Sequence, residues 1–168
     1  RVHAAGRDWD IIETSGHCRG HLCLYDAQDQ ILIAGDQVLP TISPNVSVLP
    51  SRPDANPLRE FLESLARLEH CAPDTLVLPS HGRPFRGLHR RVDVLRSHHL
   101  QQLESLRAAC REPQAAYGLL PVMYGRPLRG YHRFLALGET VAHLNYLWHA
   151  GDLKRTVDDA GRIHFVAG

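Results

Sequence analysis

The stretch "ETSGHCRGHLCLYD", residues 13–26, decides how the chain is read. Its second half alternates. His21, Cys23 and Tyr25 fall on one side of an extended chain and Leu22 and Leu24 on the other, the period of a β-strand. Its first half cannot continue that strand, because Gly16 and Gly20 bracket His17 and favour a tight turn. A polar, glycine-bounded loop between two strands leaves two histidines four residues apart to be explained.

Working outward, "DWDIIET" (8–14) reads as the strand that enters the loop. Beyond the turn "AQDQ", the run "ILIAGD" (31–36) is continuously apolar up to Gly35, the pattern of a strand buried on both faces. Pro40, Pro44, Pro50 and Pro53 exclude regular structure from much of 37–56. Asn56–Pro57 is a helix start, an N-cap followed by proline at the first helical position. Leu58, Phe61, Leu62, Leu65 and Leu68 then form one apolar stripe, and Pro73 ends the helix. "TLVLPSHG" (75–82) is a second candidate for a buried strand. Strand, hairpin, helix and strand in this order predict a layered α/β unit.

The composition changes near residue 89. A helix over about 90–111 carries Leu95, His99, Leu103, Leu106 and Cys110 on one side, and Glu112–Pro113 breaks it. A short apolar helix near 114–120 follows, then the turn "YGRPLRG". The segment 130–150 places Phe134, Leu137, Val141, Leu144 and Trp148 at helical spacing, and Gly151 closes it. "LKRTVDDAGRIHFV" reads as a hairpin. Three helices and a terminal hairpin make a winged-helix pattern. The expected organisation is an α/β domain over 1–88 and a winged-helix domain over 89–168.

Bulk properties narrow the function classes. The 168 residues are 43% apolar and 22% charged, an ordinary globular balance. The net charge of +1 supplies no field that would draw nucleic acid or an anionic membrane. The four cysteines form no C-x-x-C pair, so neither a zinc knuckle nor a disulfide framework is implied, and a reducing, cytoplasmic setting is expected. No run approaches the ~18 apolar residues of a membrane span. Twelve histidines are many for such a chain.

Three polar residues share one placement. His17 lies in the glycine-bounded loop after strand 8–14, Asp36 ends "ILIAGD", and His81 ends "LVLPSH". Ligands gather at strand ends in layered sheets because loops there converge. Imidazole and carboxylate suit Zn²⁺ or Fe²⁺. Gly16, Gly20, Gly35 and Gly82 flank all three and allow sharp turns beside an ion. Each residue alone has an ordinary explanation, a solvated His in a turn or an Asx turn at Asp36. The set in this order is far more specific. His99, on an apolar helical stripe, reads as a packed or interface residue; His132, His143 and His149 read as surface or packing residues.

"TSGHCRGH", "AGD" and "PSHG" together resemble the second half of the metallo-β-lactamase superfamily, nearest its glyoxalase II-like hydrolases. The resemblance implies half of an αββα sandwich, whose other half would carry an H-x-H-x-D-H motif. It implies that His17 is the later histidine of one metal site, Asp36 the carboxylate bridging two ions, and His81 the last histidine of the second site. His21 matches a position that supports a ligand from behind. The tail is similar to the small domain of the β-lactamase-like protein 2 group. The implied cofactor is zinc, two ions in an intact protein, with iron or manganese admissible. The implied reaction is hydrolysis of an ester or thioester by a metal-activated water. Asp36 in place of a thiolate argues against antibiotic lactamase activity.

The sequence departs from the family at Ser15, where proline is common, and at Cys18, where Thr or Ser is common. No H-x-H occurs in the 168 residues. His98 and His99 are adjacent and diverge by about 100° on a helix. A first half upstream of Arg1, holding the water-orienting Asp, is therefore expected as the partner that completes the site, and the catalytic residues are not identified within this chain. The chain alone is expected to bind metal weakly and to be inactive. The expected partners are a small-molecule ester or thioester and that first half, with no membrane and a homodimer left open. The rival readings are a nuclease of the same fold and a nucleic-acid-binding or interaction module. The apolar 130–150 helix favours docking against the hydrolase domain over nucleic-acid contact, and Arg126, Arg129, Lys154, Arg155 and Arg162 are the candidates for phosphate contact.

Overall fold

The computed structural model describes Arg1–Gly168, and the chain forms two units. The first comprises residues 1–44 with 60–97, the second 45–59 with 98–168. The segment 45–59 thus belongs with the C-terminal residues, although it precedes residue 89.

The first unit is built on five strands, β1 (Val2–Ala4), β2 (Arg7–Thr14), β3 (His21–Asp26), β4 (Ile31–Gly35) and β5 (Leu76–Pro79), in that spatial order. Neighbours are antiparallel except β4 and β5, which run parallel. The parallel pair requires a crossover, supplied by helix α1 (Pro57–Leu68). Asn56 caps α1 as its sequence requires, its side-chain oxygen accepting from the Arg59 N–H at 3.2 Å. The helix ends at Leu68, five residues before the proline expected to stop it. Helix α2 (Leu88–Ala109) follows β5.

One sheet face is covered. Cys23, Tyr25, Leu32, Ala34 and Val77 are buried, as are Phe61, Leu65 and Leu68 of α1 and Val92 and Leu95 of α2. The Ala72 N–H donates to the Tyr25 hydroxyl at 3.0 Å, and the Ser15 N–H to Ser64 Oγ at 2.8 Å, tying helix to sheet.

The opposite face corrects the expectation that "ILIAGD" is buried on both sides. Ile11 pairs with Leu24, Leu24 with Ile33, and Ile33 with Leu78, so one apolar row crosses four strands. Ile11 is 46% and Ile33 38% exposed, and Leu22 on the same face 53%. An apolar run identifies a strand but does not say whether anything covers its second face.

In the second unit, the end of α2 joins a 3-10 turn (Ala116–Leu119), helix α3 (Leu120–Tyr124), helix α4 (Gly130–Ala150) and the hairpin β6 (Leu153–Val157) and β7 (Ile163–Ala167). Gly151 ends α4 in the left-handed conformation, φ 85°. The inward face of α4 differs from the expected stripe. Ala136, Thr140, His143, Leu144 and Leu147 are buried, whereas Phe134 is 54% exposed. Small and polar residues sit inside because segment 45–59 runs close along the helix. The Val48 N–H donates to the Gly138 carbonyl at 3.0 Å, and Asn145 donates to the carbonyls of Pro53 and Ala55 at 2.8 and 2.9 Å. A Cβ on residue 138 would stand 2.9 Å from Ser47 Oγ and 3.2 Å from the Val48 carbonyl oxygen, so glycine permits this approach.

His99 and His143 are both fully buried in this unit, with His99 Nδ1 3.1 Å from His143 Nε2. His143 Nδ1–H donates to the Glu139 carbonyl at 2.8 Å, which leaves its Nε2 to accept from His99 Nδ1–H. Of the roles expected, packed or interface for His99 and surface or packing for His143, packing is the one observed.

Candidate metal centre

Each expected ligand is delivered by a strand end of the first unit. β2 stops at Thr14, and Gly16 at φ 111° turns the chain into the His17 loop. β4 stops at Gly35, φ 52°, immediately before Asp36. β5 stops at Pro79, and His81 follows after Ser80.

The three side chains converge on one carboxylate. His17 Nε2 lies 3.5 Å from Asp36 Oδ2, and His81 Nε2 lies 3.5 Å from Asp36 Oδ1. Each imidazole therefore faces its own oxygen. Two donors that share one tetrahedral ion at ~2.0–2.2 Å stand about 3.3–3.5 Å apart. The observed spacing leaves room for an ion between each histidine and the carboxylate, and the imidazole–carboxylate donor set suits zinc, iron or manganese. The set is not a closed cage, since no group of three or more His, Cys, Asp or Glu side chains is arranged to hold a metal. With two protein donors per ion, each half falls short of the three that a catalytic zinc site uses.

His21 stands behind this centre. Its Nδ1 is 2.9 Å from the Thr14 hydroxyl. Its ring packs over Gly35, with Cε1 3.0 Å from where a Cβ would stand and Nε2 nearer still, so only glycine fits beneath it. Burial lowers its pKa, the neighbouring His17 lowers it further, and Asp36 opposes both. His21 thus meets the backbone one residue before Asp36. Cys18 is exposed beside His17, while Cys23, Cys71 and Cys110 are buried and all four are free thiols.

The sequence reading missed Ser80 and Arg91. The Ser80 hydroxyl donates to Asp36 Oδ1, and its backbone N–H donates to the Gly35 carbonyl at 3.0 Å. One residue therefore fixes both the carboxylate and the strand end that carries it. Its signal was the serine inside "PSHG", a residue able to hydrogen-bond beside a presumed ligand. Ser80→Ala is expected to leave the fold intact, costing about 1 kcal/mol of stability. Metal affinity should fall by about tenfold, in the range that such supporting partners command; calorimetric titration with Zn²⁺ reads the second effect. Arg91, on α2, donates through Nε to the Leu39 carbonyl at 2.6 Å and through a terminal nitrogen to the Ile42 carbonyl at 2.8 Å. Gln37 is fully buried, and neither polar atom of its side chain has a hydrogen-bond partner.

Comparisons with known proteins bear on the family. Residues 2–81 match the family model described as metallo-β-lactamase superfamily, and residues 103–168 match that of a metallo-β-lactamase-like C-terminal domain. A search of curated proteins returned no match. Among solved structures, a β-lactamase domain protein of Burkholderia ambifaria is 48% identical with a TM-score of 0.96, covering 99% of this chain and 50% of its own. A metallo-β-lactamase family protein of Thermus thermophilus is 30% identical with a TM-score of 0.85, covering 99% and 52% respectively. The chain thus spans about half the length of the solved structures it resembles. Family models and solved relatives point the same way, and the chain carries domains of the metallo-β-lactamase superfamily, a superfamily of metal-dependent hydrolases.

Proposed function

We propose that the chain supplies the later ligands of a dinuclear, glyoxalase II-like hydrolase site: His17 for one ion, His81 for the other, and Asp36 for both. The observation that carries this reading is the Asp36 carboxylate with one histidine 3.5 Å from each oxygen. Zinc, when bound, would acidify water and polarise the carbonyl of a small ester or thioester. The chain's own residues hold the donors in place. Ser80 fixes the rotation of the Asp36 carboxylate, and His21 with Thr14 backs the strand end beneath it.

The H-x-H-x-D-H donors of the first half do not occur in these 168 residues, so in this reading turnover requires a complementary half. The bare apolar row of Ile11, Leu24, Ile33 and Leu78 supports the same reading, since a second sheet packed against it would complete a sandwich. The helices and hairpin of the second unit are a winged-helix domain in this reading, and the free thiols favour a cytoplasmic setting.

The test pairs the chain with the part of the Burkholderia protein it does not cover. Thioester hydrolysis with Zn²⁺ should appear only in the mixture and be abolished by Asp36→Ala. Turnover by the chain alone, or an Asp36→Ala mixture as active as wild type, would sink the proposal.

A second reading, nucleic-acid contact, is favoured by one observation. Tyr131 and Phe134 are exposed with their rings 6.2 Å apart, and the neighbouring Arg126 and Arg129 are exposed in a stretch, 113–138, that holds no acidic residue. Single-stranded RNA offered to the same mixture separates the two. Cleavage of RNA in place of thioester would reassign the substrate, whereas binding without cleavage would support an interaction module.

A further inference from the structure

The segment that leaves Asp36 returns at once to the turn that carries His81. Pro40 lies against Gly82, the residue after His81; a Cβ at residue 82 would stand 2.6 Å from Pro40 Cγ and 3.2 Å from Cδ. Gly82 holds φ 86°, so it provides both the turn and the space. Residues 37–42 therefore form a strap joining two of the proposed ligands. The strap has no strand or helix to hold it. It also carries the fully buried Gln37 side chain, whose polar atoms meet no protein partner. Buried Val38 and Leu39 anchor its start, whereas Thr41 and Ile42 are exposed, so the end at Pro40–Ile42 needs a further tie.

Arg91 is placed to supply it. Its guanidinium reaches from α2 to the Leu39 carbonyl at 2.6 Å and the Ile42 carbonyl at 2.8 Å, on either side of Pro40. The planar fork of arginine can hold two carbonyls in fixed relation, which a lysine ammonium does less well. The guanidinium is partly buried, and burial lowers its pKa. No carboxylate pairs with it. Its hydrogen bonds thus go to the strap backbone.

We propose that Arg91 is a positioning residue: by gripping the carbonyls on either side of Pro40, it presses the strap onto Gly82 and sets the spacing between Asp36 and His81. This rests on the reading of Asp36 and His81 as ligands. Arg91 touches neither residue and would act on the ion through the strap.

Arg91→Met keeps the apolar stem and removes the donors, and Arg91→Lys keeps the charge. Mn²⁺ added to the 168-residue chain, followed by water-proton relaxation, should bind about tenfold more weakly to Arg91→Met, with partial recovery in Arg91→Lys. Asp36→Asn should abolish the enhancement. Wild-type affinity in Arg91→Met would overturn the role of Arg91, whereas wild-type affinity in Asp36→Asn would overturn the site reading beneath it. A second measurement needs no metal. The nuclear Overhauser contact between the Pro40 ring and the Gly82 α-protons should be present in wild type and lost in Arg91→Met. If it persists in a folded Arg91→Met, the proposal fails whatever the metal titration shows. Thermal melting of each variant separates loss of the strap from loss of the fold.

Discussion

Gly16→Ala is expected to destabilise the protein by about 3–5 kcal/mol. Two costs combine. Gly16 sits at φ 111°, where an L-residue is strained by roughly 1–3 kcal/mol. The added Cβ would stand 2.6 Å from the Phe61 Cα and 2.8 Å from its nitrogen, and nearer still to its Cβ. Those are backbone and near-backbone atoms of a fully buried helical residue, so no flexible side chain can swing aside. Overpacking of this kind adds about 1–3 kcal/mol. At about 2–4 °C per kcal/mol for a chain of this size, the melting temperature should fall by roughly 6–20 °C. Gly20→Ala is the control. Gly20 is also left-handed, φ 65°, but nothing lies within 4 Å of its Cβ position, so it should lose only about 1 kcal/mol. Equal losses in the two variants would show that conformation alone, without the approach to Phe61, sets the cost. Because Gly16 precedes His17, Gly16→Ala should also weaken metal binding, where Gly20→Ala changes it less.

Acid should unfold the protein through His99 and His143. Both are fully buried and neutral; burial pushes His99 down to about 3 and His143 to about 4, and neighbouring imidazoles, His98 among them, add to the effect. In the unfolded chain both return to the ordinary histidine value near 6.5. A folded pKa held below the unfolded one means that the unfolded state binds protons first. The stability is therefore complete above about pH 6.5 and is lost progressively as the pH falls from there toward 4. At ~1.4 kcal/mol per pKa unit, His143 alone accounts for about 3 kcal/mol by pH 4. Urea unfolding at pH 7.5, 6 and 4.5 reads the slope. His143→Gln, which keeps a donor for the Glu139 carbonyl, should flatten much of it. An unchanged slope in that variant would move the source of acid sensitivity elsewhere.

The elements that carry the candidate site were legible because proline and glycine mark them. Asn56–Pro57 opens α1 and Gly151 closes α4 where the sequence says they should. Asp36 and His81 stand at strand ends and come together as their placement implies. What the sequence hid depends on partners distant along the chain. Local periodicity placed Phe134 in the core of α4, but the approach of 45–59 to Gly138 turns a different face inward. "ILIAG" is apolar whether one face is covered or two, so the exposure of Ile33 could not be read from it. Ser80 and Arg91 make their bonds to partners 44 and about 50 residues away, and while "PSHG" hinted at Ser80, nothing in the sequence announces the reach of Arg91.

The passage of 45–59 into the second unit also constrains ancestry. The chain crosses between units after residues 44, 59 and 97, so no single breakpoint in a gene yields either unit whole. A recombination event at residue 88 or 97 would strand the segment that lines α4 with the wrong parent. The C-terminal unit can then be exchanged between relatives intact only if residues 45–59 travel with it.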